Sequence, residues 1–485
     1  MNKSIHVGLA AGKTLLLIIP LSLLVLAASP SNAGAQTLAT LYSFSGPPND
    51  GFRPNALIQG SDGNFYGTTR LGGTNDYGTV FRISPDGNET NLHSFGGSSD
   101  GMEPFAGLMQ ASDGNFYGTT PVGGSNNLGT IFRISPSGTY TSLYSLVHSS
   151  TFPASAPCSS LVQASDGNFY GTTDNGGTFG THGTAFQITP SGTYTTLCSI
   201  LDTGIGSGLY SQPALVLGAD GNLYGTTFGG GTNGHGSVFR ITLSGTYTSL
   251  YSFGASSIDG TAPNGLVRGS NGKLYGTTAQ GGTYSNGTVF CITLTGSYSN
   301  LYSFGGTPND GLVPQVVPVQ GSDGNFYGTT FYGGTSNVGT VFRFTPSGTE
   351  TVLCSLASLA LGSFSPSPPG LVQGSDGIFY GTTGNGGAST NCPGGCGTVF
   401  KLTVPLNPPA NQISAVQVTG ADVAFSIPSV ACETYQLQFS NSMNPTNWIN
   451  VPGVSVTNSL GALLTLTNSG GAIGPQRFYR FDITP

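Results

Sequence analysis

Apolar and polar positions alternate in short runs along most of this chain, with Gly, Asp, Asn and Pro gathered in the breaks between runs. A period of two is the mark of strands. In the first repeat Leu57-Ile58-Gln59 is an apolar run, Asp62-Gly63 marks a hairpin turn, and Phe65-Tyr66 sets one ring on each face of the strand that follows. A strand apolar on both faces has to be covered on both. Gly78-Thr79-Val80-Phe81-Arg82-Ile83 supplies a third strand, and a strand ending like Leu41-Tyr42-Ser43-Phe44 completes the unit.

The unit is written seven times. Its Tyr-Gly-Thr-Thr core starts at Tyr66, Tyr117, Tyr170, Tyr224, Tyr275, Tyr327 and Tyr380, at spacings of 51, 53, 54, 51, 52 and 53 residues. Four short antiparallel strands repeated in this way predict an all-β, seven-bladed β-propeller over residues 36–403. A parallel β-helix is the rival, but its repeats are shorter and hold no succession of hairpins. The chain opens on a fourth-strand sequence and none follows residues 397–402, so the N-terminal strand is expected to complete the last blade and leave no free edge. A Pro-rich linker is expected over 404–412. Alternation then resumes, which predicts a small β-sandwich over 413–485 with Trp448 in its core.

Gly-Ser-Asp-Gly-Asn-Phe-Tyr-Gly-Thr-Thr, then Gly-Gly, then Gly-Thr-Val-Phe-Arg-Ile, then Leu-Tyr-Ser-Phe, recurring in that order across residues 37–402, resembles the GloVer tandem repeat of exported cyanobacterial and verrucomicrobial proteins. The resemblance implies export and a surface or extracellular place, and it brings no catalytic residues. The apolar strand, Gly-Gly and aromatic strand are also similar to kelch repeats, which implies a propeller and a binding role. The tryptophan of that repeat is missing here, so this likeness reaches the fold alone. The tail, with Thr434-Tyr435-Gln436-Leu437-Gln438-Phe439, Trp448 and Pro475-Gln476-Arg477-Phe478-Tyr479-Arg480, resembles a C-terminal module of exported verrucomicrobial proteins.

Composition agrees with the pattern: 78 of 485 residues are glycine and only 7% are charged, an all-β balance rather than a helical or disordered one. Residues 1–35 read as a secretory signal peptide, with Lys3 and Lys13 ahead of an apolar segment and Ala33-Gly34-Ala35 as a cleavage site. An uncleaved anchor is the alternative, disfavoured by the short apolar segment and by Pro20. Cleavage leaves 11 basic against 20 acidic residues, a net charge of −9, so nucleic acid is not an expected partner. No later segment is long and apolar enough to span a bilayer, and a secreted or cell-surface protein is expected. Of seven cysteines, Cys392 and Cys396 share the loop Asn-Cys-Pro-Gly-Gly-Cys and are expected to pair.

Candidate chemistry is sparse. No nucleophile elbow, zinc helix, calcium loop or phosphate loop is present. The aspartates Asp62, Asp113, Asp166, Asp220, Asp323 and Asp376 are one turn feature copied round the ring, with Asn271 in the seventh place. Arg82, Arg133, Arg240, Arg343 and Lys401 share one third-strand position; a basic ring and local pairing both fit, and Gln187 and Cys291 at the same position favour pairing. His182 and His235 precede the third strand in consecutive repeats and with Asp174 form a weak metal candidate, against which stands their reading as ordinary loop residues. No cofactor is expected.

Two connections of each repeat are tight turns and fall on one face. The other two, exemplified by residues 72–77, 201–212 and 356–370, are longer, more varied, and fall on the opposite face. Varied loops on a rigid scaffold are where binding groups are carried. The long-loop face holds Asp50, Asp100, Asp259 and Asp310 with Tyr77, Tyr210, Phe228, Tyr284, Phe331 and Tyr332, which are the candidate ligand-binding residues. Rings beside short polar groups suit sugars, so the expected function is non-catalytic binding of polysaccharide or a cell-surface protein. A carbohydrate-active hydrolase or lyase and a structural surface protein are the alternatives. The plain reading of each residue is that the aspartates make turns and the rings pack.

Overall fold

Every blade begins as the sequence pattern requires, with an Asp-Gly turn, or Asn271-Gly272 in blade 5, folding an apolar strand back onto Phe-Tyr-Gly-Thr-Thr, or Leu-Tyr-Gly-Thr-Thr in blades 4 and 5. The computed structural model describes residues 7–9, 37–147, 154–177, 183–200, 214–356, 370–404, 415–419, 422–428, 433–440, 449–458, 463–468 and 477–484. Tyr210, His182, Cys432, Trp448 and the linker beyond Val404 lie outside these residues. The described regular structure is β-strand. Residues 37–404 make seven antiparallel four-stranded blades of a propeller. In blade 1 the order from one edge to the other is the first strand, Phe65–Gly72, Thr79–Ile83 and Glu89–Ser94. Among the described residues no helix is long and apolar enough to cross a membrane.

The sequence pattern predicts one apolar first strand, and in three blades the structure divides it. Gly51–Pro54 and Ile58–Gln59 both pair with Phe65–Gly72, and the break falls where Arg53 adopts φ 57° ahead of Pro54. The same left-handed residue before proline recurs at Glu103, Ala156, Ala262 and Val313, although a β-branched residue strongly resists that region. Contacts between blades hold it there. The Glu103 N–H donates to the Tyr77 carbonyl of the preceding blade, and Val313 does the same to Asn286. Pro104 then packs on Gly78, where an added Cβ would lie 2.8 Å from the proline ring.

Two further devices join the blades. The tyrosine of one blade packs on the phenylalanine of the next, as in Tyr66 with Phe116 at 4.0 Å and Tyr117 with Phe169 at 4.1 Å. Across the ring seam Tyr380 meets Phe65 at 4.1 Å. All seven repeat tyrosines are buried, which is the two-faced cover that the Phe-Tyr pair requires. On the tight-turn side Gln110 Oε1 accepts the Ser61 N–H of the blade before it, while its Nε2 donates to the Gly114 carbonyl of its own turn. Gln163, Gln320, Gln373 and Gln59 repeat this, the last accepting from Ser375 across 316 residues of chain. Leu217 and Arg268 stand at that position in blades 4 and 5, so the girdle is made at five junctions and missing at two.

The strand Thr37–Ser43 pairs with Thr398–Thr403 as the outer strand of blade 7. Beyond the propeller, Asp422–Pro428 lies between Ala415–Thr419 and Leu463–Asn468. A second sheet places Glu433–Ser440 between Ile449–Asn458 and Arg477–Thr484, and Val7–Leu9, from within the expected leader, pairs with the outer edge of that last strand.

Candidate functional site

On the tight-turn face the repeated aspartates serve their own turns. Asp62 accepts the Asn64 N–H and side chain through separate oxygens and takes the Tyr66 hydroxyl at 2.9 Å. Burial works against its charge, but the donors from Asn64 and Tyr66 outweigh it and hold the carboxyl below its ordinary value. The third-strand cation lies beside this pair, Arg82 pairing in register with Tyr66, and Gln187 substitutes by donating to Tyr170 at 2.8 Å. These contacts are local to each blade.

The long-loop face places its candidates less uniformly. Asp50 and Asp310 are only 5% and 3% exposed, and Asp259 is buried with them. Asp310 Oδ2 accepts from the Gly305 and Gly306 N–H groups and from the Tyr302 hydroxyl at 2.7 Å. Asp100 accepts the Gly96 N–H and meets His93 Nε2 at 2.9 Å. Tyr284, 51% exposed, backs onto Gly306, where an added Cβ would lie 2.9 Å from its ring; Tyr77, 38% exposed, backs onto Gly97 in the same way. Phe331 and Tyr332 meet edge to face at 4.6 Å, and Phe228 is half-buried. His235 is exposed and sits against Gly254, and no cluster of three metal-ligating side chains occurs among the described residues. Cys392 and Cys396 are disulfide-bonded, and their sulfurs lie against Gly46.

What these loops bring together is a set of junctions between the outer strands of neighbouring blades. At five of them the residue before the serine of the Leu-x-Ser run meets the first residue of the next outer strand. Where both are rings they stack: His93 on Tyr140 at 4.0 Å, Tyr144 on Tyr194 at 4.6 Å, Tyr251 on Tyr298 at 4.1 Å. In blades 1 and 6 that first residue is a glutamate. Tyr302 reaches from blade 5 to Glu350 of blade 6, and Tyr42 to Glu89 at 3.5 Å.

Between Tyr302 and Glu350 the absent ring leaves a cavity of about 480 Å³, bordered by Thr307, Pro308 and Asn309 of one long loop and Thr335 of the next. That volume lies within the range of small-molecule sites. Burial first, and the Asp310 charge second, push the Glu350 carboxyl from 4.5 to about 7. One of its oxygens, Oε1, is buried without a partner. A carboxyl with a spare oxygen, a tyrosine hydroxyl, an asparagine amide and threonine hydroxyls can each exchange hydrogen bonds with a polyhydroxylated ligand. Sequence reasoning named Asp310 and passed over Glu350 and Tyr302. The legible signal was a glutamate at a strand position held by tyrosine in four of the other repeats.

The profile of the Gloeobacter/Verrucomicrobia repeat matches residues 29–212 and 210–418. No curated protein sequence matches the chain. Among solved structures, the chain is similar to a candidate gluconolactonase, with 13% identity, a TM-score of 0.38, and coverage of 78% of this chain and 94% of the other. It is similar to the extracellular domain of a one-component system of B. thetaiotaomicron, with 11% identity, a TM-score of 0.49, and coverage of 91% and 58%. A puromycin hydrolase gives 12%, 0.47, and coverage of 80% and 61%. At such distances no shared activity follows.

Proposed function

The chain belongs to the Gloeobacter/Verrucomicrobia repeat family, and on that premise we propose that it is an exported, non-catalytic binding protein whose ligand is a carbohydrate held on the long-loop side of the propeller. The observation that carries this reading is the cavity between Tyr302 and Glu350, lined by hydroxyls, an amide and a carboxyl whose ionisation burial disfavours, with no cation among its lining residues. Such a lining suits uncharged sugars, and Asp310 and a net negative chain disfavour uronates and sulfated glycans. Tyr284, on the outer side of the same loop, offers a half-exposed ring on which a further sugar can stack. A hydrolytic reading needs a second carboxyl beside Glu350, but Asp310 is only 3% exposed and is not among the residues that line the cavity, so it does not face a sugar held there. Cleavage of the leader before Gln36, clasping of the ring by Thr37–Ser43, and stacking of the two C-terminal sheets into a sandwich belong to the same proposal. The kelch likeness adds only that propellers of that kind bind partners.

Affinity electrophoresis through gels that carry neutral glucans, mannans, xylans or a uronate polymer tests it. The full chain is expected to be retarded by a neutral polymer and not by the uronate. Thr307→Arg, which places a cation in the cavity mouth, is expected to weaken retardation about tenfold or more, roughly 1.4 kcal/mol. A folded protein that migrates unhindered through every neutral polymer would sink the reading.

A further inference from the structure

The blade 5/6 cavity has a counterpart in the chain. The loop Gly305-Gly306-Thr307-Pro308-Asn309-Asp310-Gly311 is matched by Ser45-Gly46-Pro47-Pro48-Asn49-Asp50-Gly51, and Pro-Asn-Asp-Gly occurs at these two places and nowhere else. Each loop follows Tyr-Ser-Phe, and each faces a strand that begins Glu-Thr, at Glu350-Thr351 and Glu89-Thr90. The three features need not travel together: Tyr251 precedes Ser-Ile-Asp-Gly and faces Tyr298, and His93 precedes Ser-Ser-Asp-Gly and faces Tyr140. Loop, tyrosine and glutamate therefore go as a set. A requirement of the fold alone would have put the set at every junction.

The geometry repeats as well. Tyr42 donates to Asp50 Oδ2 at 2.9 Å and lies 3.5 Å from Glu89 Oε2, as Tyr302 donates to Asp310 and reaches Glu350. Burial, with the Asp50 charge second, pushes Glu89 to about 7, the same value as Glu350. Pro48 and Asn49 are exposed above a buried Asp50, as Pro308 and Asn309 are above Asp310. The cavity's Thr335 and Ser355 have Thr74 and Ser94 as equivalents. Among the residues equivalent to the cavity lining, the differences are Pro47 for Thr307, Asn91 for Val352 and His93 for Cys354, and behind the loop Ser45 stands for Gly305. The brace behind the loop also differs: Tyr284 backs onto Gly306, whereas the Cys392–Cys396 disulfide backs onto Gly46.

We propose that the junction of blades 7 and 1, built from Tyr42, Asn49, Asp50, Thr74 and Glu89, is a second binding site for the same class of uncharged saccharide, so that one chain engages a polysaccharide at two places on its rim. The inference rests on the carbohydrate reading of the blade 5/6 cavity. Two blades, 6 and 7, separate the sites around the ring, so a polymer that reaches both gains the effective-concentration advantage of a tethered second contact, about 10²-fold or more over a single site.

Isothermal titration of the full chain with cellohexaose, mannohexaose and xylohexaose tests the inference. For the hexasaccharide that binds, the wild type is expected to take two per chain, Thr335→Arg and Thr74→Arg one each, and the double variant none. Both threonines are exposed loop residues, and an unchanged melting curve in each variant shows that the fold is kept. A stoichiometry of one, with Thr74→Arg binding like the wild type, overturns the second site and leaves the first standing. Absence of binding by all three sugars overturns the carbohydrate reading and the second site with it.

Discussion

Two kinds of aspartate look alike in the sequence, each followed by glycine, and the structure gives them different work. Asp62 and its copies, all exposed except the buried Asp323, fasten a turn to the tyrosine four residues on. Asp50 and Asp310 are buried and gather loop N–H groups beneath exposed Pro-Asn segments. Nothing in an Asp-Gly pair distinguishes the two, because the difference lies in the tyrosine hydroxyl and loop N–H groups that close over the second kind, at Asp259 as at Asp50 and Asp310. The glutamates Glu89 and Glu350, which stand by two of the three, have a measurable signature. Their folded pKa lies near 7 against an ordinary 4.5, so the folded state holds protons that the unfolded state has lost. The stability they contribute is full below pH 4.5 and is lost as pH rises towards 7. His93, whose pKa burial lowers despite Asp100, pulls the opposite way over part of this range. The difference between the wild type and a Glu89→Gln/Glu350→Gln double variant isolates the carboxyls. Urea melts from pH 4.5 to 7.5 are expected to show the double variant gaining on the wild type as pH rises, and a constant difference would contradict the assignment.

At the scale of strands and turns the sequence was most informative. The Asp-Gly turn, the Phe-Tyr pair and the Gly-Thr-Val-Phe run each lie where the alternation predicts, since a period of two leaves few ways to cover both faces. The divided first strand was not legible. Arg53 and Val313 take φ above zero because a carbonyl in the preceding blade holds their N–H, a cause more than 20 residues away in the chain. The glycine that receives the following proline is therefore costly to change. At Gly397, φ is +100° and an added Cβ would lie 2.5 Å from the Thr383 carbonyl oxygen and 2.6 Å from Pro54. Gly397→Ala is expected to cost roughly 3–5 kcal/mol from strain and overpacking. Gly114→Ala, at φ +82° with open space around it, is expected to cost about 1–2 kcal/mol from backbone strain alone. Equal losses in chemical denaturation would contradict the docking account. The broken girdle offers the converse test. Leu217→Gln would give the Ser165 N–H an acceptor and the Gly221 carbonyl a donor, as at five other junctions, and is expected to raise stability by about 0.5–1.5 kcal/mol. No gain would mean that the glutamine bonds do not add to the packing already there.

For the whole molecule the decisive contacts cross the seam between blades 7 and 1. Tyr380 on Phe65, Ser375 on Gln59, and Arg53 on the Cys396 carbonyl join the last blade to the first, and Thr37–Ser43 supplies that last blade's outer strand. Deletion of residues 37–44 removes that strand and the buried Phe44, and a melting temperature lowered by well over 5 °C is expected. A drop of a degree or two would mean that the ring does not depend on its clasp. The same deletion removes Tyr42, so the seam and the second cleft stand or fall together. The account as a whole turns on which surface meets the ligand. Hydroxyl-radical footprinting of the full chain, with and without a saturating neutral polysaccharide that retards it in gels, reads this directly. Protection is expected at Tyr284, Tyr302 and Pro308 and at Tyr42 and Pro48, with the half-exposed prolines of the opposite tight turns, Pro85 and Pro136, unchanged. Protection centred on Pro85 and Pro136, with the long loops unaffected, would contradict the account.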